Sequence, residues 1–379
     1  MKIVAAPNAF KGSLTATEAA AAMAAGIRRV LPAAEIVQVP VADGGDGLVD
    51  VAVEALDGER RTLTVTGPRN DPVAADYCYV PAIGLVTVEM ALASGLALLP
   101  DDQRDPMRTT TYGTGELIRA GLDLGVKQIN VGIGGSATND GGIGMAQALG
   151  ARFLGTDGRE LPGIGASLNQ IAVIDLSGLD PRIEATRFEA VCDVDNPLCG
   201  PRGAAAVYGP QKGAGPAQVE ALDQGLMNLA AVIKQQMRRE VADMPGAGAA
   251  GGLGAGLHAF LGAELRQGID IIFELVGLEK KLAGAELVLT GEGQIDFQTV
   301  FGKAPGGVGA TAKAHGIPCL AIAGSVGAEL GDLHATGIDA VFSLCTGPTT
   351  LEVAMRDAGE NLARVTQQAL RCFLTGRKS

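Results

Sequence analysis

Two rhythms of apolar and polar positions divide this chain. At its start KIVAAP (Lys2–Pro7) is a short, continuous apolar run of the kind that forms a strand buried on both faces. LTATEAAAAMAAGIRRVLP follows with helical spacing. Thr15 and Glu18 have the separation of a capping box, and Arg28 and Arg29 occupy the last turn before Pro32. EIVQVPVA (Glu35–Ala42) predicts a second strand, and LVDVAVEALDG a second helix closed by Gly58. Strand, helix, strand and helix of this length make a βαβ unit, which implies a parallel sheet. The same order returns near the end. ELVLT (Glu286–Thr290), IPCLAIAGS (Ile317–Ser325) and GIDAVFSL (Gly337–Leu344) predict strands, with a helix through Lys313 after the first and a last amphipathic helix from about Leu351 to Phe373. Two strands at the start and three at the end give a five-stranded, flavodoxin-like sheet.

The middle of the chain differs. TLTVTG, PVAADYCYV and LVTVEMA succeed one another closely, and a parallel crossover needs about a dozen residues or more, so these predict antiparallel strands. A helix over Thr114–Leu124, a strand over Gln128–Gly132 and further strands and helices follow. The α/β chain thus reads as a flavodoxin-like domain, residues 1–65 plus 284–379, carrying an inserted α/β domain with a mixed sheet, residues 66–283. An active site is expected in the cleft between them.

Composition narrows the function. Glycine is the outlier, with 55 of 379 residues, about twice its ordinary share. The glycines cluster with Asp, Thr and Ser instead of repeating, which fits ligand loops on an α/β scaffold. A net charge of -12 argues against nucleic acid as partner, because a phosphate backbone needs a basic surface. Cys78, Cys192, Cys199, Cys319, Cys345 and Cys372 form no CxxC pair or metal-ligand spacing, and reduced thiols are expected. MKIVAAPNAF lacks a signal-peptide core, and the most apolar segment, Leu85–Pro100, is short for a membrane span and carries Glu89. These features predict a cytoplasmic protein without membrane or nucleic-acid partners.

Ligands of open parallel sheets bind beyond the carboxyl ends of the strands. The first domain presents there PNAFKGS (7–13), ADGGDG (42–47), TGEGQID (290–296) and AGSVG (323–327). A loop that only turns the chain has no use for Lys11, Asp43, Asp46, Glu292 and Asp296 together, although each acid taken singly also suits a helix cap or turn. In the inserted domain IGGSATNDGG (133–142) lies between a strand and a helix, the geometry in which backbone N–H groups and the helix dipole hold phosphate. CDVDNPLCGP offers Asp193 and Asp195, a pair suited to a Mg²⁺ ion that keeps several waters, and GPQKGA sets Lys212 between glycines. GAGAAGGLGAG (246–256) reads as a hinge or a close helix packing. There is no Walker A motif, protein-kinase motif set, GxSxG elbow, HExxH or amino-terminal GxGxxG.

PNAFKGSLTATEAA, PVADGGDG, TTTYGTGEL, IGGSATNDGGIGMAQALG, CDVDNPLCGPRGAAAVYGPQKGA and TGEGQIDFQTVFGKAP together resemble the bacterial glycerate kinase family, type I, in order over essentially the whole chain. Asn8 stands where the family more often has an acid, and Asp46 is one methylene shorter than the family's usual residue. The resemblance implies ATP- and Mg²⁺-dependent phosphorylation of D-glycerate, giving 2-phosphoglycerate. Alternatives are a 3-phosphoglycerate-forming enzyme, a kinase for a related small hydroxy acid, or a non-enzymatic two-domain sensor of sugar acids.

On that reading Gly134, Gly135, Ser136, Thr138, Asn139 and Lys212 face nucleotide phosphates. Lys11 faces the transferring phosphoryl group or the glycerate carboxylate. Asp193 and Asp296 serve as base and metal-positioning group, Asp193 and Asp195 as metal ligands, and Ser13, Asp43, Asp46, Glu292 and Lys303 contact the substrate.

Overall fold

Ile3, Val4, Ala5 and Ala6 are wholly buried, because the strand they form is flanked on both sides and covered on both faces. The computed structural model describes residues 1–42, 47–296, 299, 303–345 and 347–377. In chain order its strands are β1 (Lys2–Pro7), β2 (Glu35–Gln38), β3 (Glu59–Thr66), β4 (Pro72–Val80), β5 (Leu85–Glu89), β6 (Gln128–Gly132) and β7 (Arg152–Leu154). They continue with β8 (Val173–Asp175), β9 (Arg187–Val191), β10 (Glu264–Arg266), β11 (Leu287–Ile295), β12 (Cys319–Val326) and β13 (Ala340–Ser343). The chain divides into two compact units, the first made of Met1–Asp43, Glu54–Leu56 and Ile269–Ser379, the second of Gly44–Val53 and Asp57–Gly268.

The first unit holds a wholly parallel sheet in the order β13–β12–β11–β1–β2. Counted within the unit this is the flavodoxin-like order that the sequence predicts, and its switch point lies between β1 and β11. One face packs Ile3, Ala5, Leu287, Leu289 and Ile322 against the helices Ala16–Arg28 and Ala358–Gly376. The helix Ala304–Ala314 lies against β1, β11 and β12. Ala16–Arg28 begins with the expected capping box. Thr15 Oγ1 accepts from Glu18 N at 3.1 Å and Glu18 Oε2 from Thr15 N at 2.9 Å, an arrangement that contributes about 1 kcal/mol.

Several boundaries differ from expectation, and β2 ends at Gln38, short of the predicted Ala42. TGEGQI, read as a loop, continues β11, which pairs with β12 as far as Ile295 and Val326. Glycine makes this possible, since a Cβ on Gly291 would lie 2.1 Å from Ile322 O. The last helix is two, Leu351–Arg356 and Ala358–Gly376, broken at Asp357.

The second unit holds a mixed sheet in the order β10–β9–β6–β5–β4–β3. β3, β4 and β5 are antiparallel neighbours, as their short connections require, while β5, β6, β9 and β10 run parallel. The helix Tyr112–Asp123 buries Leu117, Ile118 and Leu122 in this unit's core. Among the described residues no helix is long and apolar enough to cross a membrane.

Candidate functional site

β6 ends at Gly132, and the loop 133–142 leads into the helix Ile143–Ala148. The loop has two halves. Gly134, Gly135 and Ser136 line a cavity of about 290 Å³ together with Asp193, Tyr208 and Lys212. Thr138, Asn139 and Asp140 do not line it and are wholly buried. Asp140 is the organising residue of the inner half. Its carboxylate accepts from Thr111 N at 2.8 Å, Thr111 Oγ1 at 2.7 Å, Gly142 N at 3.1 Å and Gly144 N at 3.3 Å. Burial pushes this carboxyl above the usual range, against the pull of those four donors. Thr111 Oγ1 in turn accepts from Met145 N at 2.9 Å, so the loop and the first turn of the helix after it are tied to one threonine.

Lys212 closes the loop from the other side. It sits at the end of the short helix Pro210–Lys212, is 1% exposed, and donates from Nζ to Ser136 Oγ and to Thr138 O, each at 2.7 Å. Burial pulls its ammonium down to about 7, with the charge of Asp140 opposing that shift. A lysine in this state is a fixed donor under the loop that changes charge near neutrality, not a mobile cation in solvent.

The segment read as a hinge or packing element is packing. It forms the helix Ala249–Leu261, with Ala250, Gly251 and Gly252 left-handed near its start, and it is buried almost throughout. Gly141 N donates to Gly251 O at 3.0 Å, and a Cβ on Gly251 would lie 2.0 Å from Thr138 O. Two glycine-rich segments therefore meet backbone to backbone, and one fixes the position of the other.

Asp193 and Asp195 are exposed on the segment after β9. Asp193 accepts from Gly268 N at 2.8 Å and borders both the 290 Å³ cavity and a neighbouring one of about 420 Å³, which Asp195 also lines. Two exposed carboxylates beside a cavity are a donor set that fits Mg²⁺ with waters completing its shell. Among the described residues no three or more His, Cys, Asp or Glu gather as a metal centre.

In the first unit Lys11 and Ser13 line a cavity of about 600 Å³ beyond the carboxyl ends of β1, β11, β12 and β13. Ser13 Oγ donates to Phe10 O at 3.0 Å, within its own turn. Glu292, Asp296 and Lys303 do not line this cavity. Glu292 is buried and accepts from Thr299 Oγ1 at 3.2 Å. Asp296 accepts from Gln294 Nε2 at 3.0 Å, and Lys303 stands at the N-cap position of the helix Ala304–Ala314 with no side-chain capping bond. Asp43 and Asp46 lie outside the described residues.

Sequence reasoning passed over Glu89. It ends β5, is 9% exposed, and accepts from Val49 N at 2.7 Å and Gly47 N at 3.3 Å, so it caps the helix Leu48–Leu56 directly after the ADGGDG segment. Its signal was a lone acid closing an apolar strand at the carboxyl edge.

A model of the glycerate kinase family matches residues 3–374. The chain is 49% identical over 360 residues to a glycerate kinase of Halalkalibacterium halodurans, covering 95% of this chain and 94% of that one. It is 47% identical to a glycerate 2-kinase of Escherichia coli K12 over 379 residues, covering 100% of both. A crystal structure of a putative glycerate kinase 2 from Salmonella typhimurium LT2 superposes with a TM-score of 0.92 at 47% identity, covering 100% of both chains.

Proposed function

The chain belongs to the glycerate kinase family, and from that premise we propose that it transfers the γ-phosphoryl group of ATP to the 2-hydroxyl of D-glycerate in the cytoplasm, giving 2-phosphoglycerate and ADP. The observation that supports this reading best is the cavity of the second unit, where glycine-loop backbone, a hydroxyl, a buried lysine and a carboxylate come together: Gly134, Gly135, Ser136, Lys212 and Asp193. The full-length relative named a glycerate 2-kinase supports the position of transfer.

In phosphoryl transfer the protein contributes position and charge more than covalent chemistry. The glycerate hydroxyl oxygen forms the new bond to phosphorus as the bond to the bridging oxygen of ADP breaks, and the hydroxyl proton passes to a carboxylate. Asp193 and Asp296 are our candidates for that base and for the group that positions the metal. Lys212 and Ser136 place donors toward negative oxygens, Lys11 supplies an exposed cation, and Asp193 with Asp195 would hold Mg²⁺. Bound there, that ion would offset charge on the phosphates.

The test is purified chain with ATP, Mg²⁺ and D-glycerate, its product resolved by phosphorus NMR. A 2-phosphoglycerate resonance is expected. A 3-phosphoglycerate resonance would overturn the position, and turnover only with another hydroxy acid would overturn the acceptor. Asp193→Asn is expected to lower kcat by about 10²–10⁴-fold, the usual contribution of a general base. Near-normal kcat in both Asp193→Asn and Asp296→Asn would remove the carboxylate mechanism.

A further inference from the structure

The cavities differ in size, as the reaction's two substrates do. Those bordering Asp193 in the second unit are about 290 and 420 Å³, and that of the first unit, at about 600 Å³, sits well inside the range of roughly 300–1,000 Å³ common to sites for cofactor-sized ligands. A three-carbon acid leaves the largest of these mostly empty. Its place also suits a nucleotide, beyond the carboxyl ends of β1, β11, β12 and β13, the edge at which open parallel sheets bind ligands.

Its lining sorts by chemistry. Phe10, Leu344 and Met355 give apolar surface of the kind on which a purine rests. Thr349 and Thr350 offer hydroxyls, and Gly293 and Gly324 expose strand backbone. Lys11, on the loop after β1, adds a cation to this lining.

We propose that this cavity of the first unit binds the nucleoside end of ATP, with Lys11 toward the phosphates. The proposal rests on ATP being the phosphoryl donor. It gives the IGGSATND loop, expected from the sequence to face the nucleotide, no part in holding the base or the ribose.

Cys345 supplies a readout independent of turnover, because it is exposed and lines the cavity, while Cys372 is exposed on the last helix and does not. Alkylation of both thiols by iodoacetamide is followed by mass spectrometry in the full chain, with the Kd for MgADP first measured by calorimetry. At ten times that Kd, MgADP is expected to slow modification of Cys345 about tenfold by mass action and leave Cys372 unchanged. D-glycerate alone is expected to protect neither. In parallel Ala354→Trp, which fills the cavity, is expected to raise the KM for ATP at least about tenfold and leave the KM for glycerate within about twofold.

Unprotected Cys345 in a chain that binds MgADP would overturn the proposal and leave the kinase reading standing. So would protection by glycerate, or an Ala354→Trp effect on the glycerate KM. A chain that binds no nucleotide would overturn both. Protection by MgADP without turnover of glycerate would uphold the cavity assignment and remove only the acceptor.

Discussion

Lys212→Met is expected to be more stable relative to the wild type in acid than in alkali. The ammonium of Lys212 is pulled down from 10.5 to about 7 by burial. Between those values the unfolded chain holds a proton that the folded chain has released, so wild-type stability rises with pH across this window. Below pH 7 both states are protonated and the cost of burying the charge, on the order of 4–5 kcal/mol, is present in full. Methionine keeps the length and apolar stem without the charge. The difference in unfolding free energy, measured by urea melts at pH 6.5 and pH 9, is therefore expected to shift by about 2–3 kcal/mol in favour of the wild type at the higher pH. A difference independent of pH would show that Lys212 stays ionised when folded, held so by Asp140. The same substitution leaves Ser136 Oγ and Thr138 O without their donor, and kcat/KM is expected to fall about 10²-fold or more, the scale of losing one oriented donor in a desolvated site.

The parts of the fold that the sequence makes legible are those fixed by local periodicity. KIVAAP, with its apolar run, is β1 to the residue, and the Thr15–Glu18 pair caps the first helix as spaced. TLTVTG, PVAADYCYV and LVTVEMA lie too close together to be anything but antiparallel, and they are. TGEGQI was illegible as strand because its glycines, which signal a loop by composition, serve close approach between β11 and β12 instead.

The candidate site divides in the same way. Composition singled out IGGSATNDGG and GPQKGA separately. Only the tertiary fold brings Lys212 under Ser136, because the two are 76 residues apart and nothing local encodes their contact. Asp140 and Thr111 were hidden for the same reason, and Glu89 because a single acid in a strand carries no pattern. Thr138 and Asn139 look in sequence like ligand donors, yet they are buried and do not line the cavity. Alternation cannot reveal that in a stretch so rich in glycine.

Gly251→Ala is expected to be among the most damaging small substitutions in the chain. Two causes combine, and a second variant separates them. Gly251 has φ +67°, in the left-handed region, where an L residue costs about 1–2 kcal/mol. Its Cβ would also lie 2.0 Å from Thr138 O and 2.6 Å from Asn139 Cα, and backbone cannot swing aside as a side-chain tip can. Gly262, at the end of the same helix, has φ +70° with nothing within 4 Å of where a Cβ would stand, so Gly262→Ala carries the conformational cost alone. Denaturant melts are expected to show a loss of about 1–2 kcal/mol for Gly262→Ala and of more than about 3 kcal/mol for Gly251→Ala. Because Thr138 O also accepts from Lys212, relief of the clash by moving the loop moves the lysine's anchor and Ser136 with it. Gly251→Ala assayed where it remains folded is therefore expected to lose at least about tenfold in kcat, whereas Gly262→Ala keeps wild-type turnover. Equal effects of the two on stability and on kcat would mean that the second glycine segment does not position the first. The backbone contact at Gly251 would then be packing without consequence for the site.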